Sequence, residues 1–341
     1  MDKACALEAE MPPKIRVSLA SAVLLGLTEG VINTKPTTLY LLTYRTAKCV
    51  ANCSFCSQAR SSTSKADRLS RVSWPVFSTP QVIKHLKNTN TADIKRVCIQ
   101  AMNYPDVFQD LLGLVQRLHT EAQIPISISC QPLTREQIIK LKDAGVDRVG
   151  IPLDVPTKEL FEEVKGEAIG GPYVWEKSLE ALRIGVQVLG RGKVSTHFIV
   201  GLGESDKELL TMVQKIVDMG VYPALFTFTP LPGTRLEGKV QPLVDRYRCI
   251  QLARYMIVSG QARCENIVFD EHGCIKKFNV NEFLVREMVK IGVPFMTSGC
   301  PGCNRPFYNE RAGGPLYNYP RCLSQEEINE VEMNILRYIN G

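Results

Sequence analysis

Between residues 38 and 228 the chain alternates short apolar runs of strand formers with longer stretches of helical periodicity, and no other feature restricts the fold as much. The runs fall at residues 38–44, 96–100, 125–130, 147–151, 194–200 and 222–228. Between them, Val107, Leu111, Leu114, Val115 and Leu118 share one helical face. Thr134 with Gln137, and Ser205 with Glu208, have the spacing of capping boxes ahead of apolar periodic segments, and Gly145 stops the first of these helices. Strands separated by helices predict a parallel sheet, and right-handed crossovers curl such a sheet into a full or partial (β/α) barrel. Chemistry in such barrels lies on the loops leaving the C-terminal ends of the strands. The alternation ends near Leu231-Pro232-Gly233-Thr234. The expected organisation is an N-terminal extension (1–36), an α/β partial barrel (37–235) and a C-terminal extension (236–341).

The chain carries 12 cysteines, and they need an explanation. A disulfide framework suits small secreted domains, and 341 residues is not small. The nearest approach to a targeting segment is Lys14-Ile15-Arg16 followed by apolar residues 17–27. It is too short to span a bilayer, lies behind acidic Glu8 and Glu10, and lacks an Ala-x-Ala cleavage site, so it reads as a buried N-terminal helix. The expected location is the reducing cytoplasm, with no membrane, where clustered cysteines bind metal. A net charge of +6 is mild for this length and fits an acidic partner or none in particular. No Lys/Arg run resembles a nucleic-acid arm, so no nucleic-acid partner is expected.

Directly after the first strand stands Cys49-Val-Ala-Asn-Cys53-Ser-Phe55-Cys56. A structural zinc site wants four ligands in a closed tetrahedron. Three cysteines without a neighbouring histidine leave one corner vacant, which suits a [4Fe–4S] cube with one iron open to an outside ligand. Unrelated core cysteines have no reason to crowd one loop beside Lys48, Asn52 and Ser54. A second group, Cys300-Pro-Gly-Cys303 with Cys322 further on, is a metal knuckle read as zinc or as a second Fe–S cluster. A fourth ligand there would be Cys5, Cys264, Cys274 or Ser298. Cys98, Cys130 and Cys249 read as core or strand residues.

The C-x3-C-x2-C spacing, with Phe55 before the last cysteine, resembles the motif of the radical S-adenosylmethionine (SAM) superfamily. His197-Phe-Ile-Val-Gly201-Leu-Gly203-Glu204 resembles that family's fifth-strand signature, and Phe228-Thr-Pro230-Leu-Pro-Gly its sixth-strand exit. Asp154 after the fourth strand resembles a polar contact to SAM. In place of the usual Gly-Gly-Glu-like turn after strand two the chain has Gln100-Ala-Met-Asn103-Tyr104, whose side-chain amides would stand in as acceptors. The resemblance thus implies a TIM-like (β/α)6 barrel with SAM contacts at Phe55, Gln100, Asn103, Ser129, Asp154, His197, Gly201, Glu204 and Pro230.

Residues 297–321, with Gly-Cys300-Pro-Gly-Cys303-Asn-Arg305-Pro followed by Tyr308-Asn-Glu, resemble the biotin-synthase-related family, which contains the two-component lipoyl synthases. The one-component lipoyl synthase pattern is not met, since the chain has no N-terminal cysteine triplet and no C-terminal Arg-Ser-Ser-Tyr. The resemblance implies two [4Fe–4S] clusters, one at Cys49, Cys53 and Cys56 and an auxiliary one at Cys300, Cys303 and Cys322. It implies SAM cleavage to a 5′-deoxyadenosyl radical, hydrogen abstraction from an octanoyl-lysine on a lipoyl carrier protein, and sulfur transfer from the auxiliary cluster. A second related radical SAM subunit and a low-potential donor such as ferredoxin or flavodoxin are the implied partners. The rival readings are biotin synthase-like sulfur insertion into a free small molecule, whose auxiliary ligands would lie within the barrel, and a non-catalytic Fe–S or zinc subunit. Methylthiolation of tRNA would need an RNA-binding module, and none is evident.

Overall fold

The computed structural model describes residues 10–89, 92–310 and 313–339. Its sheet has eight strands: β1 (Lys14–Val17), β2 (Thr38–Thr43), β3 (Val76–Ser78), β4 (Arg96–Gln100), β5 (Ile126–Ser129), β6 (Val146–Gly150), β7 (Val194–Val200) and β8 (Tyr222–Thr227). The spatial order is β8-β7-β6-β5-β4-β2-β1-β3. From β2 through β4 to β8 the neighbours are parallel, and these are the strands expected from the sequence. β8 and β3 remain as edges, so the fold is a partial (β/α)6 TIM-like barrel.

Helices α1 (Leu19–Leu24), α2 (Thr79–Asn88), α3 (Val107–Ala122), α4 (Arg135–Asp143), α5 (Lys158–Val164), α6 (Trp175–Leu189) and α7 (Asp206–Met219) accompany these strands. The predicted face of α3 is the one that is buried. Both capping boxes form: Gln137 N–H donates to Thr134 Oγ1 (3.3 Å) and Glu208 N–H to Ser205 Oγ (3.2 Å). Gly145 follows α4 at φ +106°, where a Cβ would stand 2.4 Å from His119 Cγ.

The helix expected over 17–27 forms over Leu19–Leu24, but the residues ahead of it are a strand. Ile15, Arg16 and Val17 pair antiparallel with Thr43, Leu42 and Leu41. An open edge beside β2 would leave a row of backbone groups unpaired, and β1 covers it. Only Leu19–Leu24 is helical, started by Ser18, whose Oγ accepts from Ser21 N–H (3.4 Å).

The barrel is followed by α8 (Val244–Ser259), a short hairpin of Ile267–Phe269 with Ile275–Phe278, α9 (Glu282–Ile291) and α10 (Gln325–Ile339). α8 is buried on nearly every side because it lies between the barrel and the C-terminal elements. Its Arg248 donates to Tyr317 O (2.6 Å), Leu316 O and Gln251 Oε1 (2.8 Å), and lies 4.8 Å from the Tyr319 ring centroid. Residues 298–309 then cross the open side of the barrel. Ser298 Oγ accepts from Leu225 N–H on β8 (2.8 Å), Asn304 Oδ1 from Thr37 N–H (2.9 Å), and the Tyr40 hydroxyl on β2 from Arg305 N–H (3.0 Å). Replacing Arg248 with Met strips these carbonyls of a charged donor and should cost about 3 kcal/mol. The expected outcome is a lower melting temperature with faster proteolysis between residues 295 and 320. Unchanged proteolysis there would show that Arg248 does not hold this segment.

Candidate active site

Alternation along each strand decides what faces the lumen. Tyr40 and Leu42, Cys98 and Gln100, Ser127 and Ser129, Arg148 and Gly150, Ser195 and His197, and Ala224 and Phe226 line a cavity of about 300 Å³. Val97, Ile99, Val149, Phe198 and Leu225 are buried in the hydrophobic core.

Cys49, Cys53 and Cys56 all face this cavity from the loop after β2. Tight turns shape the loop: Cys56 N–H donates to Cys53 O (3.1 Å) and Ala59 N–H to Cys56 O (3.1 Å), while Cys49 N–H reaches Gln58 O (3.1 Å). The Lys48 ammonium clamps it through Ser57 O (3.1 Å), Ser62 O (2.5 Å) and Ser64 O (2.9 Å). Asn103 N–H donates to Cys49 Sγ (3.1 Å) and Gln58 N–H to Cys56 Sγ (3.4 Å). Burial pushes the Cys56 thiol up to about 12, raises Cys53 further, and raises Cys49 against the pull of nearby N–H donors and Lys165. Buried thiols of this kind stay protonated until a soft metal displaces the proton. Three such donors on one loop, with N–H groups already aimed at sulfur, fit a [4Fe–4S] cluster held at three corners.

Facing them, Asp154 sits at φ +68° with its carboxylate taken by Lys165 Nζ (2.5 Å) and His197 Nε2 (2.8 Å). Lys165 also donates to Pro152 O (2.9 Å) and lies 4.8 Å from the Tyr173 ring centroid. Burial alone would raise the Asp154 pKa, but Lys165 and His197 outweigh it and hold the carboxyl well below the usual carboxylate range. The Asp154 carboxylate, expected to contact SAM, is therefore committed within the protein. Sequence reasoning missed Lys165, whose setting at the end of α5 gives no local sign of burial.

Of the other expected SAM contacts, Phe55, Gln100, Ser129 and His197 line the cavity, while Asn103, Gly201, Glu204 and Pro230 do not. Asn103 borders it through Cys49 and Tyr173. The Glu204 carboxylate is spent on its own turn, accepting from Gly201 N–H (2.7 Å), Leu202 N–H (2.9 Å) and Gly203 N–H (3.1 Å) and pairing with Arg246 (3.2 Å).

The crossing segment brings Cys300 and Cys303 into the same cavity. Ser127 Oγ lies 3.5 Å from Cys300 Sγ and the Tyr40 hydroxyl 3.2 Å from Cys303 Sγ. The third thiol beside them is Cys98 on β4, raised first by burial and then by Cys300 and Cys303 themselves. Cys322, expected as the third member, is exposed and does not line the cavity. Its closeness in sequence to Cys303 did not bring it into the cavity. Cys98, read as a strand residue, had one legible signal: it shares a strand face with Gln100. Ser298 is engaged with β8, Cys264 packs near Thr211 (3.8 Å), Cys274 is exposed, and Cys5 lies outside the described residues. Cys130 also lines the wall, and burial alone pushes it up to about 12. Among the described residues no three His, Cys, Asp or Glu side chains converge as a single metal ion would need.

Residues 43–216, just over half of the chain, match the family model "Radical SAM superfamily". The chain belongs to the radical SAM superfamily. That membership implies a [4Fe–4S] cluster and SAM. Biotin synthase from Streptococcus agalactiae is 25% identical over 215 residues, covering 62% of this chain and 61% of that protein. Biotin synthase from Corynebacterium glutamicum is 26% identical over 214 residues, 60% of this chain and 57% of that protein. The chain thus spans about three fifths of the length of the curated relatives it matches. Among solved structures, methylornithine synthase aligns with a TM-score of 0.51 at 18% identity, covering 64% of this chain and 62% of that one. The FeFe-hydrogenase maturase HydG from Carboxydothermus hydrogenoformans aligns with a TM-score of 0.53 at 17% identity, covering 89% and 66%. These two support the radical SAM fold. Among the described residues no helix is long and apolar enough to cross a membrane.

Lys165→Met leaves the Asp154 charge buried beside His197 alone and is expected to cost about 3–5 kcal/mol of stability at neutral pH. The depressed Asp154 pKa stabilises the fold above the ordinary carboxylate range, and that contribution fades only as pH falls through its folded value. The wild-type advantage over Lys165→Met, measured by denaturant melts, should therefore persist to mildly acidic pH. An advantage already lost at pH 6 would contradict this assignment.

Proposed function

We propose that this radical SAM enzyme inserts sulfur into an unactivated C–H bond of a protein-bound octanoyl-lysine, as one component of a two-protein lipoyl synthase. The observation that carries the reading is the second thiol set. Cys98, Cys300 and Cys303 share one cavity with the Cys49, Cys53 and Cys56 loop, so a substrate between them faces both. Cys98 replaces Cys322 as the third proposed ligand of an auxiliary Fe–S cluster. A triplet of thiols suits a cluster with one open corner better than a closed four-ligand zinc tetrahedron.

When bound, the first cluster and SAM supply the radical that removes hydrogen, and the auxiliary cluster supplies sulfur. The chain's own residues do the rest. Lys48 and the N–H groups of Asn103 and Gln58 fix the first thiol loop. His197, held by Asp154, and Gln100, held by the Tyr308 hydroxyl (3.2 Å), present polar groups to the space between the thiol sets. The apolar walls exclude water from a reactive carbon centre. The octanoyl-lysine substrate rests on the resemblance of residues 297–321 to the split lipoyl synthases. An octanoylated carrier protein, a second related subunit and a low-potential reductant such as ferredoxin or flavodoxin are the partners this reading requires.

A free small-molecule substrate, as the name biotin synthase implies for the relatives, is favoured by one observation: Cys98 lies on a barrel strand. Mass spectrometry decides between the two. Incubated with SAM and reductant, together with its candidate partner subunit, the protein should thiolate an octanoylated carrier and leave dethiobiotin unchanged; the reverse outcome selects the rival. Cys98→Ala and Cys303→Ala should lower iron from about eight to about four per chain and abolish thiolation while 5′-deoxyadenosine still forms. Cys56→Ala should abolish 5′-deoxyadenosine itself, and Cys322→Ala should change neither. Full sulfur transfer by Cys98→Ala would remove it from the auxiliary site.

A further inference from the structure

A second cavity of about 420 Å³ opens on the flank of the barrel, between α1, the loop over residues 29–36, residues 71–74 and the crossing segment at 305–308. Most of its wall surface is apolar, with Val23, Ile32, Val72 and the fully buried Trp74, and Glu29, Arg71 and Arg305 are the charged residues among its lining. Its mouth leaves apolar side chains in solvent: Val31 is 95% exposed, Leu19 46% and Phe307 40%. Its inner end is shared with the catalytic cavity through Tyr40, Arg305 and Tyr308, which line both.

Tyr308 is the informative member of that partition. Its hydroxyl donates to Gln100 Oε1 (3.2 Å), and its ring stands edge-on to Phe226, 5.7 Å between centroids. It lines the catalytic cavity together with Cys56 of the first thiol set and Cys98 of the second. Arg305 and Phe307 bracket Pro306 at φ +33° and +55°, a strained path that leaves Phe307 at the mouth while Tyr308 reaches Gln100.

We infer that this flank cavity is a binding site for the acyl arm of the substrate, an uncharged aliphatic chain amide-linked to a lysine, and that it delivers the reacting carbon past Tyr308 into the gap between the thiol sets. The inference rests on the sulfur-insertion reading above. A chain seated in the flank cavity would abut the catalytic cavity at Tyr40, Arg305 and Tyr308, and would enter it where these side chains part. Asn33 and Thr34, near the mouth, are placed to meet the amide, while the apolar part of the wall meets the methylenes.

The test uses full-length protein, reconstituted without air and supplied with SAM but no reductant, dialysed to equilibrium against radiolabelled N-octanoyl-lysine amide. Saturable binding is expected, weakened about tenfold or more by Ala20→Phe and separately by Thr34→Phe, both at part-exposed lining positions where folding should survive. Reductive SAM cleavage without substrate should be unchanged in both variants. No saturable binding by the wild type, or undiminished binding in both variants, overturns the site. The sulfur-insertion reading is judged apart, by thiolation of an octanoylated carrier protein. If the wild type and Ala20→Phe thiolate it equally, the flank site falls alone; if the wild type makes no thiolated product, the underlying reading falls, and the dialysis still decides the site.

Discussion

A parallel sheet of six strands curls only part of the way round, and the missing wall of its lumen is the constraint on which everything else depends. Residues 298–309 supply that wall. They bond to β8 through Ser298 and to β2 and the residue before it through Arg305 and Asn304, spanning the gap between the first and last parallel strands. Thr229 Oγ1 donates to Asn309 O (3.1 Å) and Ser70 Oγ to Tyr308 O (2.7 Å) where the segment leaves. The same backbone that closes the barrel carries Cys300 and Cys303 inward. The C-terminal extension is therefore part of the site, and Arg248 beneath it, buried among carbonyls and aromatic rings, is part of what holds it.

Closure has an electrostatic consequence. Water is largely excluded, so each thiol resists ionisation and each charge needs a partner close by. A cluster on three thiolates would bring net negative charge into this space. Two ammonium groups are already fixed beside the loop: Lys48, bound by carbonyls next to Cys56, and Lys165, whose charge reaches Cys49 and Cys53. Lys165 would be unaffordable alone at this depth, and Asp154 answers it, with His197 completing the set. The left-handed backbone at Asp154 keeps that carboxylate in place, since Asp154 N–H donates to His197 O (2.9 Å) and Ile199 N–H to Asp154 O (2.7 Å).

What could be read in the sequence was local. The strands, the buried face of α3, both capping boxes and the C-x3-C-x2-C loop are patterns over a few residues, and they stand where expected. What could not be read was pairing at long range. Cys98 looks like any cysteine between Val97 and Ile99 until the register places it opposite Tyr40 and the crossing segment arrives from two hundred residues away. Lys165 joins Asp154 across 11 residues and His197 joins it across a strand, with nothing in either neighbourhood to announce the triad. Cys322 misled in the opposite direction, being near Cys303 in sequence and apart from it in space. The N-terminal strand was obscured because its apolar run continues into α1, so that a pairing decided by the bare edge of β2 looked like one helix.

The family match and the second thiol set divide the chemistry between them. The matched region, residues 43–216, holds the first loop, the Asp154 network and Cys98, and stops well before Cys300. The residues that hold the first loop therefore lie inside the family match, while Cys300 and Cys303 lie outside it. What becomes of a substrate radical depends on which group meets it next, and here that group is set by the wall. Of the second thiol set, Cys300 and Cys303 come from the wall and Cys98 from the barrel, so neither half holds the set alone. On the sulfur-insertion reading proposed above, a wall with the same backbone but no thiols would leave a cavity able to form a radical and unable to supply it with sulfur.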